Sequence, residues 1–194
     1  LIGTWEFRNN GSYILGTAEG GKKILLAGIN ELSSHLGSAD ELNFYYIKTI
    51  HHEFTHILNQ TRDYPTSFRQ VTPSSYVKDS QFEEPYVSNY LKRGFISAYA
   101  QTEPREDFAE MVSEYVTHSA EWWEEQLTEA DDTWDGDPDQ TETGRAFIEQ
   151  KLDIVKAYMF DTWHIDMDEL RDCILRRQAN ITDGLIDLTD LTVE

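Results

Sequence analysis

Apolar residues recur along this chain with two periods, and the change from one to the other divides it. Up to residue 27 the pattern is short and strand-like: runs at 4–7, 13–17 and 23–27 are separated by Asn9-Asn10-Gly11 and Gly20-Gly21, the punctuation of tight turns. A small antiparallel sheet is expected there. Ser38 followed three residues later by Glu41 then forms a capping-box signature, after which Tyr46, Ile47, Ile50, Phe54, Ile57 and Leu58 recur at helical spacing. This predicts a helix over about 40–61, seated by the apolar face of Ile50, Phe54, Ile57 and Leu58.

The stretch 63–94 holds Pro65, Pro73 and Pro85 with little periodicity, so it reads as an irregular connection, with a short helix over 86–92, of the kind that walls a cleft. Pro104 and Arg105 open a second helical pattern in which Phe108, Met111, Val112 and Tyr115 share a face. It runs to about 118 and continues past a kink into 120–127. Two more helices, 144–159 and 166–178, make the C-terminal half mainly helical; the final acidic segment receives no element, and no internal repeat is evident. The expected fold class is α+β, with a small N-terminal antiparallel sheet beside helix 40–61, a mainly helical C-terminal subdomain over 105–194 and a cleft between them. Its 194 residues suit one domain, residues 1–194, divided as 1–62, the cleft loop 63–104 and 105–194.

Composition narrows the partners. With 36 acidic against 16 basic residues the net charge is -20, which repels nucleic acid and anionic membrane surfaces. No apolar run approaches the roughly 18 residues of a membrane span. A single cysteine, Cys173, excludes an internal disulfide and a cysteine-rich metal cluster, and its place in the pattern Leu170, Cys173, Ile174 makes it a buried helix residue. The acidic loop over 129–142, with Asp131, Asp132, Asp135, Asp137 and Asp139 around Gly136, is not an EF-hand, because Pro138 interrupts the ligand pattern; it reads as a solvated loop. The chain opens on Leu1 rather than methionine, so a mature form or fragment lacking its leader is expected.

Chemistry concentrates in His52-Glu53-Phe54-Thr55-His56, the HExxH arrangement, in the middle of helix 40–61. Four residues of separation place both imidazoles one turn apart on one face, where they can meet one zinc ion, and Glu53 beside them can take a proton from zinc-activated water. His51 has no partner at that spacing and reads as supporting or incidental. A catalytic zinc takes three protein ligands. Asn59 and Arg62 stand where the metzincin continuation needs glycine and histidine, so the third ligand comes from elsewhere. Arg105-Glu106-Asp107-Phe108-Ala109-Glu110 offers two glutamates one turn apart; Asp107 lies about a hundred degrees around the helix. Geometry alone does not choose between Glu106 and Glu110.

Glu-Asp-Phe-Ala-Glu on a separate helix resembles the third-ligand helix of gluzincins, most of all that of lethal-factor-like zinc peptidases. The resemblance implies Glu106 as the metal ligand, Glu110 as the carboxylate orienting a ligand histidine, and Tyr99, shortly before them, as a hydroxyl that stabilises an oxyanion. His-His-Glu-Phe-Thr-His-Ile-Leu together with Glu-Asp-Phe-Ala-Glu-Met is also similar to the zinc metallohydrolase lipoproteins encoded near outer-membrane nutrient-import systems in Bacteroidota. That likeness spans roughly 47–116. It implies a zincin-like cleft, a Zn2+ cofactor, a peptide or protein substrate, an outer-membrane import-system partner, and export to the periplasm or outer membrane as a lipid-anchored protein. The rival expectation is a non-catalytic binding component of such a system with a structural or vestigial zinc site, which a blocked cleft would favour.

Overall fold

The computed structural model describes residues 1–8, 12–72, 74–78 and 82–186. The expected turn at 9–11 and the final acidic segment beyond 186 lie outside them. The N-terminal part forms two two-stranded antiparallel ladders rather than one sheet. Strand β1 (Glu6–Phe7) pairs with β2 (Tyr13–Ile14), and β3 (Gly16–Glu19) pairs with β4 (Lys23–Leu26), Gly16 facing Leu26 and Glu19 facing Lys23. The strand expected over 13–17 is thus broken at Leu15, whose carbonyl accepts the amide of Ala27 beyond the end of β4. Gly20 and Gly21 close the second hairpin with φ of 59° and 65°, a conformation that side-chain-bearing residues rarely adopt.

The helical part begins with two single turns, α1 (Leu32–His35) and α2 (Ala39–Leu42). Ser38 caps α2 as expected, its hydroxyl accepting the Glu41 amide at 3.2 Å. A π-helical turn over Asn43–Ile47 then leads without interruption into α3 (Lys48–Thr61). After the long connection come α4 (Pro104–Thr117), α5 (Ala120–Glu129) capped by Ser119, α6 (Gly144–Trp163) capped by Thr143 and α7 (Met167–Thr182) capped by Asp166. The short helix expected over 86–92 is instead a series of hydrogen-bonded turns, including Tyr86 N–H to Glu83 and Gly94 N–H to Leu91. Cys173 is half-buried on α7 rather than fully buried.

Helix α4 is the axis of the core, buried at every position from Glu106 to Thr117 and packed against α3, α6 and α7. Phe108, Met111, Val112 and Val116 join Phe68, Ile148, Val155 and Ile174 in its apolar part. Its other faces carry carboxylates, and this corrects part of the expected seating of α3: Leu58 is buried in the core as expected, Ile57 is half-buried, and Ile50 and Phe54 are turned out. Ile50 and Phe54 are 39% and 44% exposed, whereas His52, Glu53 and Thr55 are buried. Around the histidines the inward face of α3 is the polar one, because the surface opposite it is acidic.

One buried ion pair braces the ligand helix from behind. Lys151 of α6 and Asp107 of α4, both fully buried, lie 2.7 Å apart. Lys151 also donates to the Gly94 carbonyl at 2.8 Å and sits 3.9 Å from the Phe95 ring, while the Tyr76 hydroxyl donates to Asp107 at 2.8 Å. Burial pushes the Asp107 carboxyl up and the Lys151 ammonium down, and their mutual attraction opposes both shifts. Lys151→Ala strands the carboxylate, so a loss of about 3–5 kcal/mol is expected. Urea denaturation measures it; a loss below about 1 kcal/mol would mean that water reaches the pair.

Candidate metal centre

Helix α3 presents His52 and His56 one turn apart, and α4 brings Glu106 against them from its first turn. The Nε2 atoms of the two histidines are 3.1 Å apart, and Glu106 Oε2 lies 3.0 Å from His52 Nε2 and 3.1 Å from His56 Nε2. Among the described residues, this is the group of histidine, cysteine and carboxylate side chains that could hold a metal ion. The carboxylates of the 131–139 loop form no such group there. That loop is tied down instead by Lys92 on Asp132 at 2.8 Å and by Arg93 over Trp134.

The atoms around the triangle fix how its lone pairs point. His52 Nδ1 lies 2.8 Å from Glu110 Oε1, so a neutral His52 with its proton on Nδ1 turns a bare Nε2 lone pair toward the other two ligand atoms. Glu110 Oε2 in turn accepts from Lys48 at 3.0 Å and from the Ser97 hydroxyl at 2.7 Å. Three electron-rich atoms held this close repel one another unless positive charge lies among them. Protons answer part of that demand. Burial alone lowers the His52 pKa, but Glu106 and Glu110 outweigh it and raise the value to about 10. Burial likewise raises Glu106, yet the two histidines hold its carboxyl well below the usual range.

A metal ion answers the demand more fully. Two imidazole nitrogens and one carboxylate oxygen are a donor set of catalytic zinc, and a tetrahedral ion about 2.0–2.2 Å from each would space them about 3.3–3.6 Å apart, a few tenths of an ångström wider than what is found. The residues fit the ion.

Glu53, 9% exposed, is not part of the triangle; it lines the cavities beside it. Burial raises its pKa. Strand β3 lies directly on it, since a Cβ at Gly16 would come within 2.8 Å of Thr49 Cγ2 and 2.9 Å of Glu53 Cγ. Tyr99, in a 3-10 turn over Tyr99–Gln101, faces both cavities with its ring 5.9 Å from that of His52. Burial and then the nearby Glu106 and Glu110 carboxylates raise its pKa. His51 points elsewhere, bonding through Nδ1 to the Ile47 carbonyl at 2.7 Å. Asp107 faces Lys151 on the far side of α4.

The structure therefore brings His52, His56, Glu106, Glu110, Glu53 and Tyr99 into one place. Lys48 and Ser97 went unread in the sequence. Lys48 precedes His52 by one helical turn, a spacing that puts it on the same face. Ser97 accepts the Ala100 amide at 3.1 Å while donating to Glu110, and so ties the turn bearing Tyr99 to the carboxylate that holds His52. No local sequence signal announces that link. Two cavities adjoin the metal group, one of about 520 Å³ lined by all three ligand residues and one of about 540 Å³ reached at His52.

The chain matches the model of a family described as "Putative zinc-binding metallo-peptidase" over residues 1–168. It is similar to a solved structure, "a putative zinc-binding metallo-peptidase from Bacteroides caccae ATCC 43185", at 36% identity and a TM-score of 0.74, over 95% of this chain and 65% of that one. This chain thus spans just under two thirds of that relative. No curated protein matches.

Proposed function

Because the chain belongs to the family described as "Putative zinc-binding metallo-peptidase", we propose that it is a zinc-dependent peptidase, with the metal held by His52, His56 and Glu106 and Glu53 as the proton acceptor. The convergence of three ligand atoms within 3.0–3.1 Å in the wall of an open cleft carries this reading. Held by His52, His56 and Glu106, a zinc ion would supply Lewis acidity toward water and toward the carbonyl of the scissile bond.

The chain's own residues supply the rest. Glu53 takes the proton that the attacking water gives up and passes it to the nitrogen of the leaving amine, so that the carbon–nitrogen bond breaks without releasing an anionic amide. The Tyr99 hydroxyl, kept protonated by its raised pKa, donates to the oxygen that becomes negative as water adds. Glu110 holds His52 by Nδ1, and Lys48 with Ser97 holds Glu110. Cavities of about 540 and 520 Å³ leave room for a substrate beside the metal group, whereas a blocked cleft would have favoured the rival reading of a non-catalytic binding component.

A mixed peptide library digested with zinc-loaded protein tests the proposal. New termini are expected, lost on treatment with a chelator and restored by zinc, with about one zinc per chain. A library left intact by fully loaded protein would favour the binding component.

A further inference from the structure

The two halves of the cleft differ in character. The cavity of about 520 Å³ that His52, His56 and Glu106 line is also bordered by charged and amide groups, among them Asp63, Arg69, Arg105 and Gln60. The cavity of about 540 Å³, reached at His52, is walled by Tyr13, Ile14, Leu15, Phe44, Phe82 and Tyr99. Four of these are large aromatic residues left open to solvent: Tyr13 42%, Phe44 49%, Phe82 39% and Tyr99 44% exposed. They come from distant stretches of chain, β2, the π-turn before α3, the long connection and the 3-10 turn before α4, and still meet around one space. Scattered exposed apolar residues need no explanation, but several converging on a concavity beside reactive groups mark a binding surface.

Besides Glu53, the proton acceptor, two charged side chains of that chamber are already engaged with protein partners. Lys48 is paired with Glu110 at 3.0 Å and Glu114 at 2.5 Å, and Glu110 with His52 and Ser97. Arg8 is the remaining cation in the lining. The π-turn matters here, because it places Phe44 in the chamber while Tyr46, two residues on, is buried against the N-terminal segment with its hydroxyl on the Gly28 carbonyl at 2.9 Å.

We propose that this chamber receives a large apolar side chain of the substrate, an aromatic one above all, so that peptides are cut beside such a residue on one fixed side of the scissile bond. The inference rests on the peptidase reading for the cut, but not for the binding. An aromatic side chain buries about 150–250 Å², and rings prefer tilted or edge-on partners, which the exposed rings of Tyr13, Phe44, Phe82 and Tyr99 offer from separate walls.

The test measures binding and cleavage separately. Acetyl-phenylalanine amide, acetyl-alanine amide and acetyl-glutamate amide are titrated into zinc-loaded protein by NMR. The phenylalanine compound is expected to bind at least about tenfold more tightly than the alanine one, and Phe44→Asp and Phe82→Ser, both at exposed positions, should erase the difference without lowering the melting temperature. Equal binding of the three amides, tightest binding of the glutamate amide at Arg8, or a preference unchanged in both variants would overturn the proposal. In the library digest, an aromatic residue should recur at one position next to the cut. Binding with the expected order but no cleavage would sink the peptidase reading and leave the chamber standing; cleavage with no side-chain preference at any position would do the reverse.

Discussion

Replacing Glu53 by glutamine is expected to leave zinc bound at parental stoichiometry while lowering peptide hydrolysis by about a hundredfold to ten-thousandfold. The amide keeps the shape of the side chain, which matters because β3 at Gly16 leaves no spare room above Glu53 Cγ. It cannot take the proton that the attacking water must lose. Since Glu53 lies outside the triangle of His52, His56 and Glu106, its replacement removes no ligand atom. Zinc analysis together with kcat on a peptide drawn from the library separates the two effects. A variant that turns over like its parent places the proton acceptor elsewhere. One that loses zinc makes Glu53 part of the metal site.

Tyr99→Phe makes a milder companion. It removes a donor to the developing oxyanion and leaves Glu53 in place, so its loss should fall on kcat rather than on zinc content. Because Tyr99 also walls the aromatic chamber, the phenylalanine ring keeps the packing surface while removing the hydroxyl.

The sequence made the helices legible where their ends are marked by local chemistry. Ser38 and Glu41 announce the start of the helical run that passes through α2 and the π-turn into α3, and Pro104 the start of α4, and both starts are found there. The expected inward face of α3 holds at Leu58 but not at Ile50 and Phe54. Apolar periodicity identifies the buried face only when the surface opposite is apolar, and here it is α4 with Glu106, Glu110 and Glu114. His52, Glu53 and the threonines Thr49 and Thr55 of α3 are therefore buried, while Ile50 and Phe54 stay exposed. The π-turn over Asn43–Ile47 has no signature in the text, because it changes the hydrogen-bond register without requiring special residues. The strand break at Leu15 goes with a non-local pairing, the Ala27 amide on the Leu15 carbonyl, that local pattern does not announce. Tertiary pairings such as Asp107 with Lys151, 44 positions further along, are beyond any local pattern.

The candidate site was readable to different depths. HExxH spacing suffices to put His52 and His56 on one face. The two glutamates of α4 share a face as well, and angle alone cannot rank them. What separates them in space is their height along the helix: Glu106 meets the Nε2 edge of His52, and Glu110, one turn on, meets the Nδ1 edge of the same ring. One imidazole is gripped from both sides by carboxylates from successive turns.

That two-sided grip yields a graded expectation for zinc affinity. Glu106→Ala and His56→Ala each delete a ligand atom from a set of three, and a third of the roughly 10–16 kcal/mol that a protein site gains on binding zinc corresponds to a loss on the order of a thousandfold. Glu110→Gln keeps all three ligand atoms and weakens only the hold on His52, for which about ten- to a hundredfold is expected. The glutamine can still accept from Nδ1 through its amide oxygen, but it no longer balances Lys48 with a negative charge. Competition with a chromophoric chelator reads the affinities directly. The rise in melting temperature on adding zinc gives the same order independently, since a ligand stabilises the folded chain by RT ln(1 + [L]/Kd). The parent should show the largest rise, Glu110→Gln a smaller one, and Glu106→Ala and His56→Ala little or none. If Glu110→Gln abolishes binding while Glu106→Ala keeps it, the roles of the two glutamates are exchanged.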